Sequence, residues 1–414
     1  MRSRTRRAPA PRCRARCASG GRTCRDCRTL PGVPVDGHDL LKRLAELPRG
    51  RAVLDAARDM PGVYLVGGAV RDLARGVVPR EVDLAVEGDP DPLLAALGGA
   101  DVEHERFGTA TVDGVDVVRA RAESYPQPGA LPEVRPGTID DDLERRDFTV
   151  NAIAVALGDA VVHAVDHAGE DLDARRLRVL HDASFRDDPT RLWRLARYAA
   201  RLRFAIEDRT LQLASEAVAD GVLGTVSGVR MGNELRLALR EPDPVAALVE
   251  ATSLGLLPAG FVPVRPDDAV ALLPTGEGRR DLVILAASCA GMDARAMLPW
   301  LDHMGFTAAE RDLVAAASRF VTGAPLRAAS TPSQIARAAR GAPIEAVALA
   351  GGENARRWID ELRHVELHIT GDDLLAAGVP QGPEIGERLR RALDRVLDGE
   401  IPPQRDAELA AALE

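Results

Sequence analysis

The chain has few aromatic residues and no long apolar run. Aromatic side chains make up 3% of its 414 residues, so stacking of bases on Phe, Tyr or Trp cannot be its main way of recognising nucleic acid. No apolar run approaches the roughly 20 residues that a helix needs to cross a bilayer. No apolar stretch follows the basic start as it would in a secretory signal. The composition therefore predicts a cytoplasmic protein without membrane contact.

Cysteine is scarce outside the arginine-rich N-terminal segment. Four of the five cysteines lie within that segment with the spacing C-x3-C-x6-C-x2-C. This spacing would in principle allow zinc binding, but the central gap is short for a zinc ribbon. Since almost no apolar residues accompany them, we expect residues 1–35 to form a disordered extension. The fifth cysteine, Cys289, lies in an apolar segment and is predicted to be in the core. The other four cysteines are Cys13, Cys17, Cys24 and Cys27.

The charge is distributed unevenly along the chain. Residues 1–30 hold ten arginines and one aspartate, so a net charge of −9 for the whole chain leaves −18 for the remainder. An acidic body argues against general electrostatic wrapping of nucleic acid, although local basic stripes could still hold phosphates. With 46% apolar residues, the chain is long enough for two to four domains with cores of their own.

Strand-like and helical patterns occupy different parts of the sequence. Residues 60–165 alternate turns with strand-like stretches such as VYLVGG, EVDLAVEG, TATVDGVDVVRA and FTVNAIAVAL, and Gly114 suits a tight hairpin. The remainder has mostly helical periodicity. We therefore predict an α+β fold, with a mixed-sheet head followed by an all-α body and tail. The predicted domains are a head at 36–165, a helical base-recognition domain at 166–262 and a helical tail at 263–414.

Residues 64–88 read YLVGGAVRDLARGVVPREVDLAVEG and contain the first candidate functional residues, a glycine pair and an arginine. A glycine pair after a buried strand, here Gly67 and Gly68, lets the backbone approach a bulky group and presents N–H groups at the start of a helix. Arg71 would lie in the first turn, where its guanidinium can reach a triphosphate. The pattern predicts a phosphate site, with an ordinary tight turn as the alternative interpretation.

Two acids follow on the next predicted strand. Glu81 and Asp83 are two residues apart, so they should project from one face. Carboxylates side by side repel each other unless a cation lies between them, and their hard oxygens suit Mg²⁺. Asp116 would be a third carboxylate if the hairpin strand pairs alongside. Such a cluster facing a phosphate site describes a two-metal nucleotidyl-transfer centre, whereas the acids alone would equally fit the solvated face of an edge strand.

Residues 64–88 resemble motif A of the class II tRNA nucleotidyltransferase and bacterial poly(A) polymerase family, within the polymerase-β-like superfamily. This resemblance implies that Glu81 and Asp83 bind metal, with Glu81 departing from the usual aspartate, and that the glycine turn binds nucleotide together with Arg71 and Asp72. Further motifs follow in the family's order: RRDFTVNAIA at 145–154, AGEDLDARRLRVL at 168–180, RDDPTRLWRLARYAARLRF at 186–204 and VRMGNEL at 229–235. The tail also resembles the tRNA-contacting region of bacterial members.

The later motifs supply further candidate nucleotide-binding residues. Asp188 and Arg191 lie one turn apart: an aspartate accepts a hydrogen bond from an exocyclic amino group, and an arginine donates one to a ring nitrogen. Cytosine and adenine offer that combination, whereas uracil and guanine do not, and the family's EDxxR motif implies this role, here with Asp187 in place of Glu. Arg230 and Glu234 fit a helix salt bridge or a structural role below the base-reading helix. The resemblance adds five nucleotide-binding candidates: Arg146, Asp147, Asn151, Arg194 and Arg197.

These patterns predict a template-independent nucleotidyltransferase that adds CCA to the 3′ end of tRNA from CTP and ATP, with Mg²⁺ as cofactor. A poly(A) polymerase or a CC- or A-adding enzyme shares every motif, and a catalytically silent RNA-binding relative is the alternative from another class. The HD pair at His181 and Asp182 lacks the upstream histidines of a phosphohydrolase, and the glycine turn lacks a P-loop lysine. No membrane and no obligatory protein partner are indicated.

Overall fold

The computed structural model describes residues 36–99, 102–104 and 109–414. Residues 1–35, with four of the cysteines, lie outside the described residues, so the predictions made for them stay predictions. The described residues form two compact units. The head unit consists of the described residues up to Ala122 and of Val134–Ala174, and the helical unit consists of Glu123–Glu133 and Arg175–Glu414.

The strands are short, and most of them lie in the head unit. Val63–Val66 is buried along its whole length, as a continuous apolar run predicts for a central strand. The strands are β1 (Val63–Val66), β2 (Val82–Val86), β3 (Val102–His104), β4 (Thr109–Val112), β5 (Val115–Arg119), β6 (Arg121–Ser124), β7 (Glu133–Pro136), β8 (Ile153–Ala156), β9 (Val162–Ala164), β10 (Arg176–Leu177) and β11 (Ala205–Ile206).

A seven-stranded mixed sheet forms the core of the head unit, in the order β3-β4-β5-β2-β1-β8-β9. Strands β2 and β5 pair in parallel, and the other neighbours in the sheet are antiparallel. The predicted hairpin is confirmed: β4 pairs with β5, and Asp113 and Gly114 have φ values of 51° and 79° in its turn. The sheet therefore brings β5 back beside β2, the strand that follows the glycine turn.

The helices of the head unit are α1 (Gly37–Ala45), α2 (Gly50–Ala57), α3 (Gly68–Ala74), α4 (Asp91–Ala96), α5 (Ile139–Glu144) and α6 (Ala168–Asp173). One strand prediction was wrong in part. The segment FTVNAIAVAL contains a 3-10 helix at Thr149–Asn151, and strand β8 begins only at Ile153. Asp147 accepts a hydrogen bond from the backbone N–H of Phe148, and such local side-chain bonds compete with a strand.

The helical unit is built from amphipathic helices that bury their apolar faces on one another. In its first long helix, α8, Leu192, Trp193 and Leu195 are almost fully buried. The predicted α+β fold with a helical remainder is confirmed. Within the described residues, no helix combines the length and the apolar character needed to span a membrane. The helices of this unit are α7 (Ser184–Asp187), α8 (Thr190–Leu202), α9 (Asp208–Ala219), α10 (Gly228–Leu239), α11 (Pro244–Ser253), α12 (Asp267–Leu272), α13 (Arg280–Cys289), α14 (Ala294–His303), α15 (Ala308–Phe320), α16 (Ala324–Ala328), α17 (Pro332–Ala339), α18 (Ile344–Ala350), α19 (Gly352–Asp360), α20 (Gly371–Ala376), α21 (Pro383–Leu397) and α22 (Arg405–Leu413).

Candidate active site

Two carboxylates lie side by side on the central sheet of the head unit. Asp83 of β2 and Asp116 of β5 are register partners on parallel strands, so their side chains project from the same face. Asp116 accepts a 2.6 Å hydrogen bond from the hydroxyl of Thr111 on β4. Glu81 is exposed and lies one residue before β2 begins, so the prediction that it belongs to the strand was wrong by one residue. The sheet thus brings together the two aspartates that the sequence singled out.

The electrostatics of Asp83 indicate a crowded anionic site. The pKa of Asp83 is raised to about 6, chiefly by burial and also by the neighbouring carboxylates of Asp116 and Glu81, against the opposing effect of Arg146 and Arg71. Among the described residues, no three His, Cys, Asp or Glu side chains come close enough together to hold a metal ion. One or two carboxylates are nonetheless the usual protein share of a Mg²⁺ site, because substrate phosphates and water complete the coordination. The donor set therefore fits a divalent cation bound together with a triphosphate.

The glycine turn is shaped around an arginine. Gly67 has a φ of 69° and precedes helix α3, a conformation that favours glycine. A Cβ atom at Gly67 would collide with Nη1 of Arg146. The backbone therefore favours glycine at this position, and an added methyl group would displace the guanidinium of Arg146.

Arg146 is held by an ion pair, and its Nε–H group is a donor without a partner among the described residues. Its Nη2 donates to Asp142 at 2.8 Å, and its Nη1 lies 3.5 Å from the carbonyl oxygen of Asn151. Burial opposes ionisation of Asp142, but Arg145 and Arg146 hold the pKa of this carboxyl below its ordinary value. The Nε of Arg146 is buried and has no hydrogen-bond partner among the described residues. An N–H group in that situation suits an acceptor on a bound ligand.

Arg71 is held by protein groups in this structure. Its guanidinium is 3% exposed and donates to both carboxylate oxygens of Asp72, at 2.8 and 2.9 Å, and to Oδ1 of Asn151 at 2.5 Å. Asn151 in turn donates to Asp147 at 2.9 Å. A hydrogen-bond network of Arg71, Asp72, Asn151 and Asp147 therefore connects α3 to the 3-10 helix. The sequence had instead suggested that the guanidinium of Arg71 is directed at a triphosphate.

In the helical unit, Asp188 and Arg191 lie at the start of α8. The Oδ1 atom of Asp188 accepts hydrogen bonds from the backbone N–H and the hydroxyl of Thr190, at 3.1 and 2.7 Å, and from Arg230 at 3.1 Å. Arg191 is buried and donates to the hydroxyl of Ser184 at 2.7 Å. Both side chains are thus fixed by neighbours, and Asp188 lies in extended backbone between α7 and α8, whereas Arg191 lies in the first turn of α8.

The next two arginines of α8 have different surroundings. Arg194 donates to the hydroxyl of Tyr198 at 3.1 Å and lies against its ring. Arg197 bridges two carboxylates, Glu234 at 2.7 Å and Glu241 at 3.0 Å. The helix salt bridge considered for the VRMGNEL motif is replaced by longer-range pairs, since its arginine binds Asp188 and its glutamate binds Arg197. These contacts favour a structural role for Arg197.

Comparisons with known proteins agree with this geometry. Residues 63–178 match the poly A polymerase head domain. The head unit thus carries the poly A polymerase head domain, and the chain is similar to tRNA nucleotidyltransferases. It is 33% identical to the A-adding tRNA nucleotidyltransferase of Geobacter sulfurreducens, over 85% of this chain and 45% of that protein. It is 38% identical to the CC-adding enzyme of Deinococcus radiodurans, over 55% of this chain and 64% of that protein. The chain therefore spans less than two thirds of the length of these curated relatives.

A solved structure is similar over most of the chain. The Thermotoga maritima CCA-adding enzyme complexed with tRNA superposes with a TM-score of 0.69 at 25% identity, covering 91% of this chain and 99% of that one. The similarity therefore extends beyond the family's head domain into the helical unit.

Sequence reasoning missed several residues that hold candidate site residues within each unit. Asp142 anchors Arg146, and its spacing of three and four residues from Arg145 and Arg146 on one helix face was the available signal. Ser184 and Tyr125 contact Arg191, and neither lies at a spacing that points to the arginine. Such contacts depend on tertiary structure alone.

Proposed function

We propose that the chain is a template-independent RNA nucleotidyltransferase that adds CCA to the 3′ end of tRNA from CTP and ATP. The observation that carries the proposal is the register pairing of Asp83 with Asp116 in a poly A polymerase head domain, near the half-buried Arg146 that packs against the glycine turn. Paired carboxylates beside a cationic, glycine-lined turn suit the transfer of a nucleotidyl group from a triphosphate.

In the head unit, Asp83 and Asp116 would hold a divalent cation, which we take to be Mg²⁺, and the carboxylate of Glu81 would add negative charge beside them. When bound, such ions lower the pKa of the attacking hydroxyl and offset the charge of the triphosphate. Arg146 would donate its unpaired Nε–H to a phosphate or sugar oxygen. Gly67 leaves room for that guanidinium. The network of Arg71, Asp72, Asp147 and Asn151 would keep the turn rigid.

In the helical unit, Asp188 and Arg191 would choose the base. The Asp188 carboxylate would accept from the exocyclic amino group of cytosine or adenine, while Arg191 would donate to the adjacent ring nitrogen. Uracil and guanine carry a carbonyl where that amino group should be, so the carboxylate would be left facing an acceptor. One pair of side chains would then accept two nucleotides and reject two without a nucleic-acid template.

Addition of A alone is the second candidate. The A-adding relative matches 85% of this chain at 33% identity, which is a longer match than that of the CC-adding relative. A poly(A) polymerase and a catalytically silent RNA-binding protein would have the same fold. The paired aspartates argue against a protein without catalytic activity.

A pair of tRNA substrates separates these possibilities. One tRNA lacks the whole CCA end, the other ends in CC, and each is incubated with Mg²⁺ and the four nucleotides singly and together. We expect ordered C, C and A addition to the first tRNA and A addition to the second. Extension of the second alone would indicate an A-adding enzyme, long A tracts would indicate a poly(A) polymerase, and tRNA binding without extension would contradict the proposal.

A further inference from the structure

The segment Glu123–Glu133 belongs to the helical unit, although the residues on both sides of it in sequence belong to the head unit. Its Tyr125 is half-buried, and the Cζ atom of Arg191 lies 5.9 Å from the centre of the tyrosine ring. That distance is within the range of a cation–π contact. The hydroxyl of Tyr125 donates to Glu123 at 3.1 Å, which fixes the ring from within the same segment.

The same segment is tied to the end of α7, just before α8, by its backbone. Gly129 is buried with a φ of 72°, and its N–H donates to the carbonyl oxygens of Arg186 and Asp187 at 3.1 and 3.2 Å. Its own carbonyl accepts from Nη1 of Arg230 at 2.9 Å, while Nη2 of that arginine donates to Asp188 at 3.1 Å. A Cβ atom at Gly129 would collide with Thr225. The segment therefore contacts both halves of the candidate base reader, one directly and one through Arg230.

We propose that Tyr125 is a positioning residue for Arg191, and that the segment Glu123–Glu133 sets the precision with which the enzyme chooses its nucleotide. This inference rests on the proposed function. Hydrogen bonds to a base distinguish one nucleotide from another only when the protein groups that make them are held at fixed positions. The hydroxyl of Ser184 holds one edge of the guanidinium, and the tyrosine ring restricts the tilt of its plane.

The phenol keeps this role across the working pH range. The pKa of Tyr125 is raised to about 12, chiefly by burial and also by the carboxylates of Glu123 and Asp188, against the opposing effect of Arg191. The hydroxyl therefore stays protonated and continues to donate to Glu123. The ring itself, not the hydroxyl, contacts the guanidinium, so a phenylalanine should preserve most of the effect.

The test compares Tyr125→Leu with Tyr125→Phe. For each protein, kcat and KM are measured for CTP, ATP, UTP and GTP on a tRNA that ends in CC and on one that lacks CCA. We expect Tyr125→Leu to lower the ratio of correct to incorrect kcat/KM by about fivefold to thirtyfold, the range that a partly desolvated cation–π contact allows. Tyr125→Phe should stay within about twofold of the wild-type ratio.

Phe306→Leu is a matched control, because it removes a ring that lies 4.1 Å from Arg236 elsewhere in the helical unit. It should lower the melting temperature without changing nucleotide choice. In an Arg191→Lys background, which lacks the planar fork, Tyr125→Leu should have little further effect. Full additivity of the two substitutions would overturn the inference.

Three other outcomes are decisive. An unchanged selectivity ratio in Tyr125→Leu contradicts the positioning role, and so does an equal loss in Tyr125→Phe. If the wild-type chain extends no tRNA, the proposed function fails, and the inference is then judged on the dissociation constants of the four nucleotides alone. Equal constants for Tyr125→Leu and wild type would overturn it in that case too.

Discussion

Asp83 carries the strongest electrostatic signal in the head unit. Burial and two neighbouring carboxylates raise its pKa, while two arginines oppose the rise. Ionisation of a half-buried carboxylate beside two others costs less when a further cation shares the site. We infer that the residue is maintained for binding charge rather than for folding.

We expect Asp83→Ala to abolish nucleotide incorporation while leaving the fold intact. Removal of a metal-binding carboxylate should lower kcat/KM by about a hundredfold or more, and the loss of a crowded charge should leave the melting temperature unchanged or higher. Incorporation assays and thermal unfolding measure the two effects. Asp55→Asn, on an exposed helix position of the same unit, is the control, and substantial activity in Asp83→Ala would contradict the assignment.

Glu81 is the residue at which this chain departs from the family's usual aspartate. Because it lies just before β2 and is exposed, its extra methylene can be accommodated by a small shift of the chain. Glu81→Asp should therefore keep kcat within about threefold of the wild type or raise it, whereas Glu81→Gln, which removes the charge, should lower it by about tenfold or more. A collapse of kcat in Glu81→Asp, down to the level of the amide variant, would show that the longer side chain has a different role.

At the scale of elements, the hairpin and the pairing of β2 with β5 carry the site. The hairpin could be predicted because Gly114 allows a tight turn between two alternating strands. Asp116 could be proposed beside Asp83 from the same pattern, but the parallel register depends on the whole sheet. The network around Arg71 could not be predicted, since Asn151 lies 80 residues further along the chain.

The glycine turn offers an element-scale prediction. Gly67→Ala should destabilise the protein in two ways, through a positive φ and through collision with Arg146. Gly114→Ala has the same kind of φ but nothing near the added methyl group, so it isolates the backbone strain of about 1 kcal/mol. We expect Gly67→Ala to lose more stability than this control and to raise the KM for nucleotide. Thermal unfolding and steady-state kinetics separate these effects, and equal behaviour of the two variants would mean that the approach of Arg146 is unimportant.

At the scale of the whole molecule, the division into two units was only partly visible in the sequence. The change from strand-like to helical periodicity marks the main boundary. The assignment of Glu123–Glu133 to the helical unit had no local signal, because it is made by contacts of Gly129 and Tyr125 with residues about 60 to 100 positions away.

The acidic body predicts how stability should depend on pH. Of 54 basic residues only Lys42 is a lysine, so nearly every cationic partner is an arginine that keeps its charge. Many carboxylates in both units have a pKa below the ordinary value because hydrogen bonds and nearby arginines outweigh the effect of burial. These carboxylates are Asp141, Asp142, Glu207, Asp243, Glu277, Asp281, Glu310, Asp373 and Asp398.

A depressed pKa in the folded state contributes stability that is complete above the unfolded pKa and is lost as pH falls through the folded one. For these groups the ordinary values are 3.8 for Asp and 4.5 for Glu. We therefore expect the melting temperature to be nearly constant between about pH 7 and 8, above the raised pKa of Asp83, and to fall steeply below about pH 4.5. Calorimetric scans across pH 3 to 8 measure this dependence.

Asp281→Asn tests why the melting temperature falls at low pH. Burial opposes ionisation of Asp281, but paired hydrogen bonds of 2.9 and 2.8 Å from Arg279 hold its pKa below 3.8. The amide should cost roughly 1 kcal/mol at pH 7. As pH falls below 3.8 towards the lower pKa of the folded state, the stabilisation by the wild-type carboxylate is lost, so the difference between the two proteins should shrink. A difference that stays constant from pH 7 to pH 3 would show that the ionised pair does not stabilise the fold.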